Sequence, residues 1–241
     1  MKICVIYGNQ RKESTYNCVQ LFKTALQKHT QTEFIEFVLP KDMPHICLGC
    51  FNCLIKGEDK CPHAASVQPI AKALLESDGI IISSPTYACD AASSVKALFD
   101  HLCYMWVPHR PQKEMFNKVV MAISVTAGAG VHTSVKTLKK SPRYWCVRKV
   151  YGFGMPVTAA FWKDVSEKKK KKLEAGLEKK AIQFSSSLKK ASKPGARLQT
   201  RIMVPLIRNM VKKYKPEDVL FRDKQYWQAN GWLDGKKPWN I

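Results

Sequence analysis

Continuous apolar runs and amphipathic stretches alternate along the first 190 residues. Lys2–Tyr7 (KICVIY) is apolar after its first residue and predicts a buried strand; a polar turn separates it from a helix over Tyr16–Gln27. The same reading predicts a strand at Thr32–Leu39, a helix at Ser66–Leu75, a central strand at Gly79–Ser83 (GIIIS) and a helix at Ala92–Tyr104. A strand at Lys118–Val125, a helix at His132–Leu138, a strand at Lys149–Pro156 and a long helix from Val165 to Leu188 complete the pattern. Alternation of this kind, with strands too apolar to face water, implies an α/β fold in which helices cover both faces of a parallel sheet. Five strands suit a doubly wound sheet of order 2-1-3-4-5, with ligands bound beyond the strands' carboxyl ends.

The texture changes after Ser192-Lys193-Pro194-Gly195, which divides the chain into residues 1–192 and a C-terminal extension, 193–241. In the extension, Leu198–Lys213 mixes apolar and basic residues and is interrupted by Pro205, and the end is aromatic (Tyr226-Trp227, Trp232, Trp239). Such a tail is expected to pack on the core or on a second subunit. The net charge of +21 is uneven, since residues 161–241 hold 21 basic and 8 acidic side chains, +13 of the total. That field favours acidic partners. Nucleic acid would need aromatic side chains beside the charge for base stacking, and the C-terminal tryptophans (Trp227, Trp232, Trp239) lie far from the densest basic run, Lys168–Lys172. That run reads as a solvated helix face or as a dock for an acidic protein such as a ferredoxin. The longest stretch free of Asp, Glu, Lys and Arg, Val119–Val135, is too short and polar to span a membrane. The N-terminus lacks the apolar core of a secretory signal, so the expected location is the cytoplasm.

Three loops follow predicted strands on one sheet edge. Gly8-Asn9-Gln10-Arg11-Lys12-Glu13-Ser14-Thr15-Tyr16 opens a helix, where backbone N–H groups, the positive helix end, Arg11 and the two hydroxyls can cradle a phosphate. An N-capped surface turn is the plainer alternative. Ser84-Pro85-Thr86-Tyr87 offers a fixed bend, a hydroxyl and a ring, while Thr126-Ala127-Gly128-Ala129-Gly130 is small enough for a flat ligand to approach the backbone.

Together with Lys96 and Phe99-Asp100, these segments resemble the FMN-binding loops of the NAD(P)H-dependent FMN reductase family, within the flavodoxin-like superfamily. The resemblance covers residues 1–160 and implies a flavodoxin-like fold with FMN as cofactor and NADH or NADPH as donor. It assigns the FMN phosphate to the first loop (Gly8, Asn9, Arg11, Ser14, Thr15, Tyr16). Ser84, Pro85, Thr86 and Tyr87 on one side, and Thr126, Ala127, Gly128, Ala129 and Gly130 on the other, would flank the isoalloxazine ring. One departure is Asn9-Gln10, where the family usually has Ser-Pro.

Cys47, Cys50, Cys53 and Cys61 form a C-x2-C-x2-C-x7-C run followed by Pro62. Four thiolates in 15 residues suit a [4Fe–4S] cluster, whose two-residue spacers turn successive sulfurs inward. Zinc and four free thiols are the alternatives at this stage. The run resembles the compact cysteine motif of iron–sulfur flavoproteins, which implies that these four residues are the metal ligands. Cys4, Cys18, Cys89, Cys103 and Cys146 read as small buried hydrophobes, with Cys89 closest to the flavin loops. His109-Arg110-Pro111 is a candidate lining for the flavin or a substrate pocket.

The expected activity is an FMN-dependent oxidoreductase taking electrons from NAD(P)H, with a cluster, and passing them to a quinone, nitro compound, flavin, dioxygen or protein acceptor. The cofactor supplies the redox chemistry, so no catalytic acid or base is named. A homo-oligomer is expected, since it could bring a distant cluster near a neighbour's flavin. A cluster-free reductase on the same fold is the rival; a basic, metal-stapled nucleic-acid module is the remote one.

Overall fold

The structure, a computed structural model, describes residues 1–191 and 195–240. Five parallel strands form the sheet: β1 (Lys2–Tyr7), β2 (Glu33–Val38), β3 (Gly79–Tyr87), β5 (Val119–Thr126) and β6 (Lys149–Pro156). Their order is β2-β1-β3-β5-β6, with β4 (Asp90–Ala91) paired antiparallel to the end of β3. The five long strands thus follow the expected path. The expected numbering 2-1-3-4-5 missed β4, because a two-residue strand carries no apolar period.

Period-two alternation explains the layering. Ile3, Val5 and Tyr7 of β1, Ile81 of β3, and Val119, Met121, Ile123 and Val125 of β5 face one side. There they meet α1 (Ser14–Gln27) and α6 (Glu167–Lys190), which contribute Val19, Phe22 and Leu26, and Leu173, Leu177, Phe184 and Leu188. Cys4, Ile6, Ile80, Ile82, Val120 and Ala122 face the other side. They pack on α3 (Ala64–Glu76), α4 (Ser93–His101) and α5 (Val131–Tyr144), through residues such as Ile70, Leu74, Leu98 and Leu138. β5 is buried throughout and so reads as an unbroken apolar run, whereas β6 at the sheet edge is half-buried.

Two further helices, α7 (Leu198–Lys212) and α8 (Phe221–Ala229), lie beyond the sheet, and a four-residue helix, α2 (Asn52–Ile55), sits in the cysteine loop. Residues 192–194, where the sequence places a boundary, lie outside the described residues. Pro205 does not interrupt the helix that contains it. It is exposed, and the helix continues without the one hydrogen bond that its missing N–H removes. Val204 and Val211 of α7 join Trp227, Trp232, Trp239, Phe116 and Val107 in a third apolar cluster. The opposite stripe of α7, Leu198, Ile202, Leu206 and Met210, faces outward. Among the described residues no helix is long and apolar enough to cross a membrane.

Candidate functional site

The ends of β1, β3 and β5 open on one cleft of about 310 Å³. Asn9, Arg11, Ser14 and Thr15 line it from the first loop, Pro85, Thr86 and Tyr87 from the second, and Thr126, Ala127 and Gly128 from the third. Val157, Ala159 and Ala160 after β6 complete the wall, along with Glu13. The residues after β6 were missed from sequence, since small apolar residues beyond a strand carry no chemical signal.

Of the other sequence-derived candidates, several shape the cleft without lining it. Gly8 donates its N–H to the Ser83 carbonyl at 2.8 Å, and an added Cβ would lie 2.5 Å from Val95 Cγ2. The fully buried Ser84 donates from Oγ to the Pro85 carbonyl at 2.7 Å and accepts from the Ala92 N–H at 2.8 Å, which latches the turn. Tyr16 stacks at a tilt on Tyr7, with centroids 5.4 Å apart. Gly130 caps α5 with φ +87°, an added Cβ there would lie 2.4 Å from the Cys89 α-carbon, and the Ala129 carbonyl accepts from Thr126 Oγ1 at 3.1 Å.

At the first loop, α1 begins with no side-chain cap, which leaves its first N–H groups for another acceptor. Ser14 Oγ there is buried without a hydrogen-bond partner. Arg11 is anchored on the rim, donating from Nη2 to the Ala160 carbonyl at 2.9 Å with its guanidinium 5.0 Å from the Phe161 ring centroid. Glu13 is also occupied: its Oε2 accepts from the Trp162 N–H at 2.6 Å. Asn9 donates from Nδ2 to the Tyr87 hydroxyl at 3.0 Å. An added Cβ at Gly128 would meet nothing within 4 Å, so the third loop presents open backbone to the cleft. An orphaned buried hydroxyl, an uncapped helix start and open backbone fit a phosphate-bearing flat ligand such as FMN.

Below the cleft, Thr86 Oγ1, Ser124 Oγ and Ser134 Oγ form a hydroxyl chain with spacings of 3.1 and 2.8 Å. The turn from β3 to β4 runs through Ala88 and Cys89, at φ +47° and +63°. Cys89 is therefore exposed in a strained turn, not buried as expected.

A larger cavity of about 940 Å³ shares Tyr87 with the cleft and reaches Ile46 and Cys47 of the cysteine loop. None of the nine cysteines forms a disulfide. Cys47, Cys53 and Cys61 are half-buried and Cys50 is exposed, amid exposed Ile46, Leu48 and Phe51. Burial first, and then the neighbouring Cys53, Cys50 and Cys47, hold the Cys61 thiol above its usual pKa. Four soft donors on one 15-residue loop are the ligand type that an iron–sulfur cluster takes.

The structure adds residues that spacing did not reveal. Cys103 is not a remote core residue: its hydrogen bond with Cys53 lowers the Cys53 pKa, aided by Arg110, and raises its own. His101 Nδ1 lies 3.8 Å from Cys61 Sγ, and its Nε2 is 3.1 Å from the His45 carbonyl oxygen. One donor atom from each of Cys61, His63 and His101 lies within 4.8 Å of the others. His109 and Arg110 do not line the flavin cleft or the larger cavity beside it. Arg110 is buried under the cysteine loop and donates to the Leu54 carbonyl at 3.2 Å and to the Cys53 carbonyl.

The sequence profile of the NADPH-dependent FMN reductase family matches residues 1–152. The chain belongs to that family. It is accordingly an NAD(P)H-dependent FMN oxidoreductase, with FMN and a nicotinamide dinucleotide as the family's cofactors. An iron–sulfur flavoprotein of Methanocaldococcus jannaschii is 33% identical over 144 residues, 57% of this chain and 69% of the relative. An iron–sulfur flavoprotein of Archaeoglobus fulgidus is 25% identical over 238 residues, 97% of this chain and 100% of the relative. Among solved structures, an FMN-dependent NADH-azoreductase from Bacillus anthracis in complex with FMN is similar with a TM-score of 0.56. The match is 12% identical and covers 77% of this chain and 100% of that one. The apo form of an NADH:FMN oxidoreductase gives a TM-score of 0.54 at 17% identity, over 77% and 89% of the two chains. At these identities the structural likeness speaks for the fold.

Proposed function

We propose that this reductase holds FMN in the cleft at the ends of β1, β3 and β5 and a [4Fe–4S] cluster on Cys47, Cys50, Cys53 and Cys61, and passes electrons from NADH or NADPH to an acceptor. The observation that carries the flavin assignment is Ser14 Oγ, buried at the uncapped start of α1 with no partner in the protein. Phosphate oxygens would satisfy both that hydroxyl and the free N–H groups of α1. The open backbone at Ala127-Gly128 and the Tyr87 ring would flank the isoalloxazine. When bound, FMN supplies hydride acceptance and one- or two-electron transfer. The chain orients it: Ser84 latches the second loop, Gly130 the third, and the Thr86–Ser124–Ser134 hydroxyls fix the floor.

Four cysteines on one 15-residue loop, none of them in a disulfide, support the cluster, as do relatives named iron–sulfur flavoproteins. The cavity between Tyr87 and Cys47 offers an acceptor access to both cofactors. The acceptor would be a quinone, a nitro compound, another flavin or a protein, and of these an acidic ferredoxin suits the basic surface. The outward apolar stripe of α7 is consistent with a homo-oligomer, and the expected setting is the cytoplasm.

A second reading has one observation behind it. Cys61, His63 and His101 form a donor set that suits zinc. Iron, zinc, sulfide and FMN analysis of anaerobically purified protein separates the two, alongside a Cys47→Ser/Cys50→Ser variant. The proposal predicts iron and sulfide that the variant loses while keeping FMN; zinc without sulfide would replace the cluster, and absence of FMN would refute the flavin site.

A further inference from the structure

Arg110 and Asp223 are 113 residues apart and both buried, at 3% and 0% exposure. Arg110 Nη1 donates to Asp223 Oδ1 at 2.6 Å and to the Leu54 carbonyl at 3.2 Å. Its Nη2 donates to the Cys53 carbonyl and reaches Glu58 Oε2 at 3.4 Å. The other carboxylate oxygen of Asp223 pairs with His109 Nδ1 at 2.8 Å. Taking an arginine and an aspartate out of water is costly unless nearly every polar atom finds a partner.

The acceptors explain the arrangement. α2 has only four residues, between Phe51 at φ +58° and Gly57 at φ +126°, and its last carbonyls have no partners within the helix. Arg110 supplies donors to two of them, and one belongs to Cys53. A planar guanidinium serves such divergent acceptors at once in a way an ammonium does not. α8 holds Arg110 from behind. Besides Asp223, Tyr226 Oη donates to the Pro111 carbonyl at 2.9 Å and Trp227 Nε1 to the His109 carbonyl at 2.7 Å. Arg222 of α8 lies over Gly57, where an added Cβ would be 3.0 Å from its Nη2.

We infer that Arg110 and Asp223 are positioning residues for the cluster: α8, through this buried pair, sets the backbone that presents Cys53 to iron. This gives the C-terminal segment a role in cofactor assembly, and it rests on the cluster reading above. Neither residue touches the metal; they act through the loop.

The test uses the full chain. Arg110→Met/Asp223→Asn removes both charges at similar volume, so that neither buried partner is left charged and alone. Arg110→Lys keeps the charge, and its pairing with Asp223, without the fork. Four quantities are read: iron and sulfide after anaerobic reconstitution, FMN content, thermal midpoint, and amide exchange at residues 52–57 in the cofactor-free protein. Both variants are expected to keep FMN and to lose at least threefold in iron, with tenfold faster exchange at 52–57 and unchanged exchange in β1 and β5. Full iron and unchanged exchange in either variant would overturn the inference. So would loss of iron only together with FMN and the thermal midpoint, since that is general unfolding. Should the unmodified protein take up no iron, the cluster reading fails on its own, and exchange at 52–57 still decides whether the pair clamps the loop.

Discussion

Replacing Ser14 by alanine separates a ligand site from an ordinary helix start, because the two predict opposite signs. Ser14 is 7% exposed and its hydroxyl has no partner. A buried polar group left unsatisfied costs about 1–3 kcal/mol. Ser14→Ala removes that penalty and slightly improves helix propensity, so the FMN-free protein should gain about 1 kcal/mol in stability. In the FMN complex the same hydroxyl would donate to a phosphate, a charged acceptor, worth about 1.5–3 kcal/mol. Because the free protein gains while the complex loses, FMN binding should weaken by about 2.5–4 kcal/mol, or about 60- to 700-fold at tenfold per 1.4 kcal/mol. Denaturant unfolding of the FMN-free protein and FMN fluorescence titration give the two numbers. A variant that is less stable without FMN and binds it as tightly as before would show that Ser14 belongs to the fold and not to the ligand.

Other outcomes follow from the same structure. Ala88 and Cys89 sit at positive φ in the β3–β4 turn, where a side chain costs about 1–2 kcal/mol. Cys89→Gly should raise the thermal midpoint, by about 1 kcal/mol in free energy, and a lower midpoint would refute the assigned turn. Conversely, Gly130→Ala places a Cβ on the Cys89 backbone at φ +87° and should cost more than about 2 kcal/mol in denaturant unfolding. Burial pushes the thiols of Cys4, Cys18 and Cys146 from 9.0 up to about 12. The raised native values mean that their stabilisation is complete below pH 9 and is lost as pH climbs towards 12, at about 1.4 kcal/mol per unit per thiol. Lys118, lowered by burial from 10.5 to about 8, works in the opposite direction between those values. The three thiols outweigh it, so unfolding titrations should show stability falling steeply above pH 9, and less steeply in Cys18→Ala. A flat profile to pH 10.5 would contradict their burial.

The sheet was legible because its inner strands, β1, β3 and β5, are buried on both faces and read as apolar runs; the ranges predicted for β1 and the half-buried edge strand β6 are those observed. The three cleft loops were legible because loops after consecutive parallel strands emerge on one edge by topology alone. Lys2–Tyr7 and Gly79–Tyr87, far apart in sequence, are neighbours in the sheet. What escaped notice lies in contacts between distant segments. Cys103 meets Cys53, His101 meets Cys61, and Asp223 meets Arg110, yet no spacing rule connects residues 40 to 113 apart. His109-Arg110-Pro111 reads as pocket lining but lies under the cysteine loop, since the partner carboxylate of Arg110 comes from α8, whose position the sequence leaves open.

The most direct test of the two-cofactor account is the visible spectrum of the protein, purified anaerobically, before and after dithionite. The account predicts resolved flavin bands on a broad iron–sulfur shoulder, with both bleached on reduction. Flavin bands without the shoulder would contradict the cluster on Cys47, Cys50, Cys53 and Cys61, and a colourless protein that refuses added FMN would contradict the whole assignment.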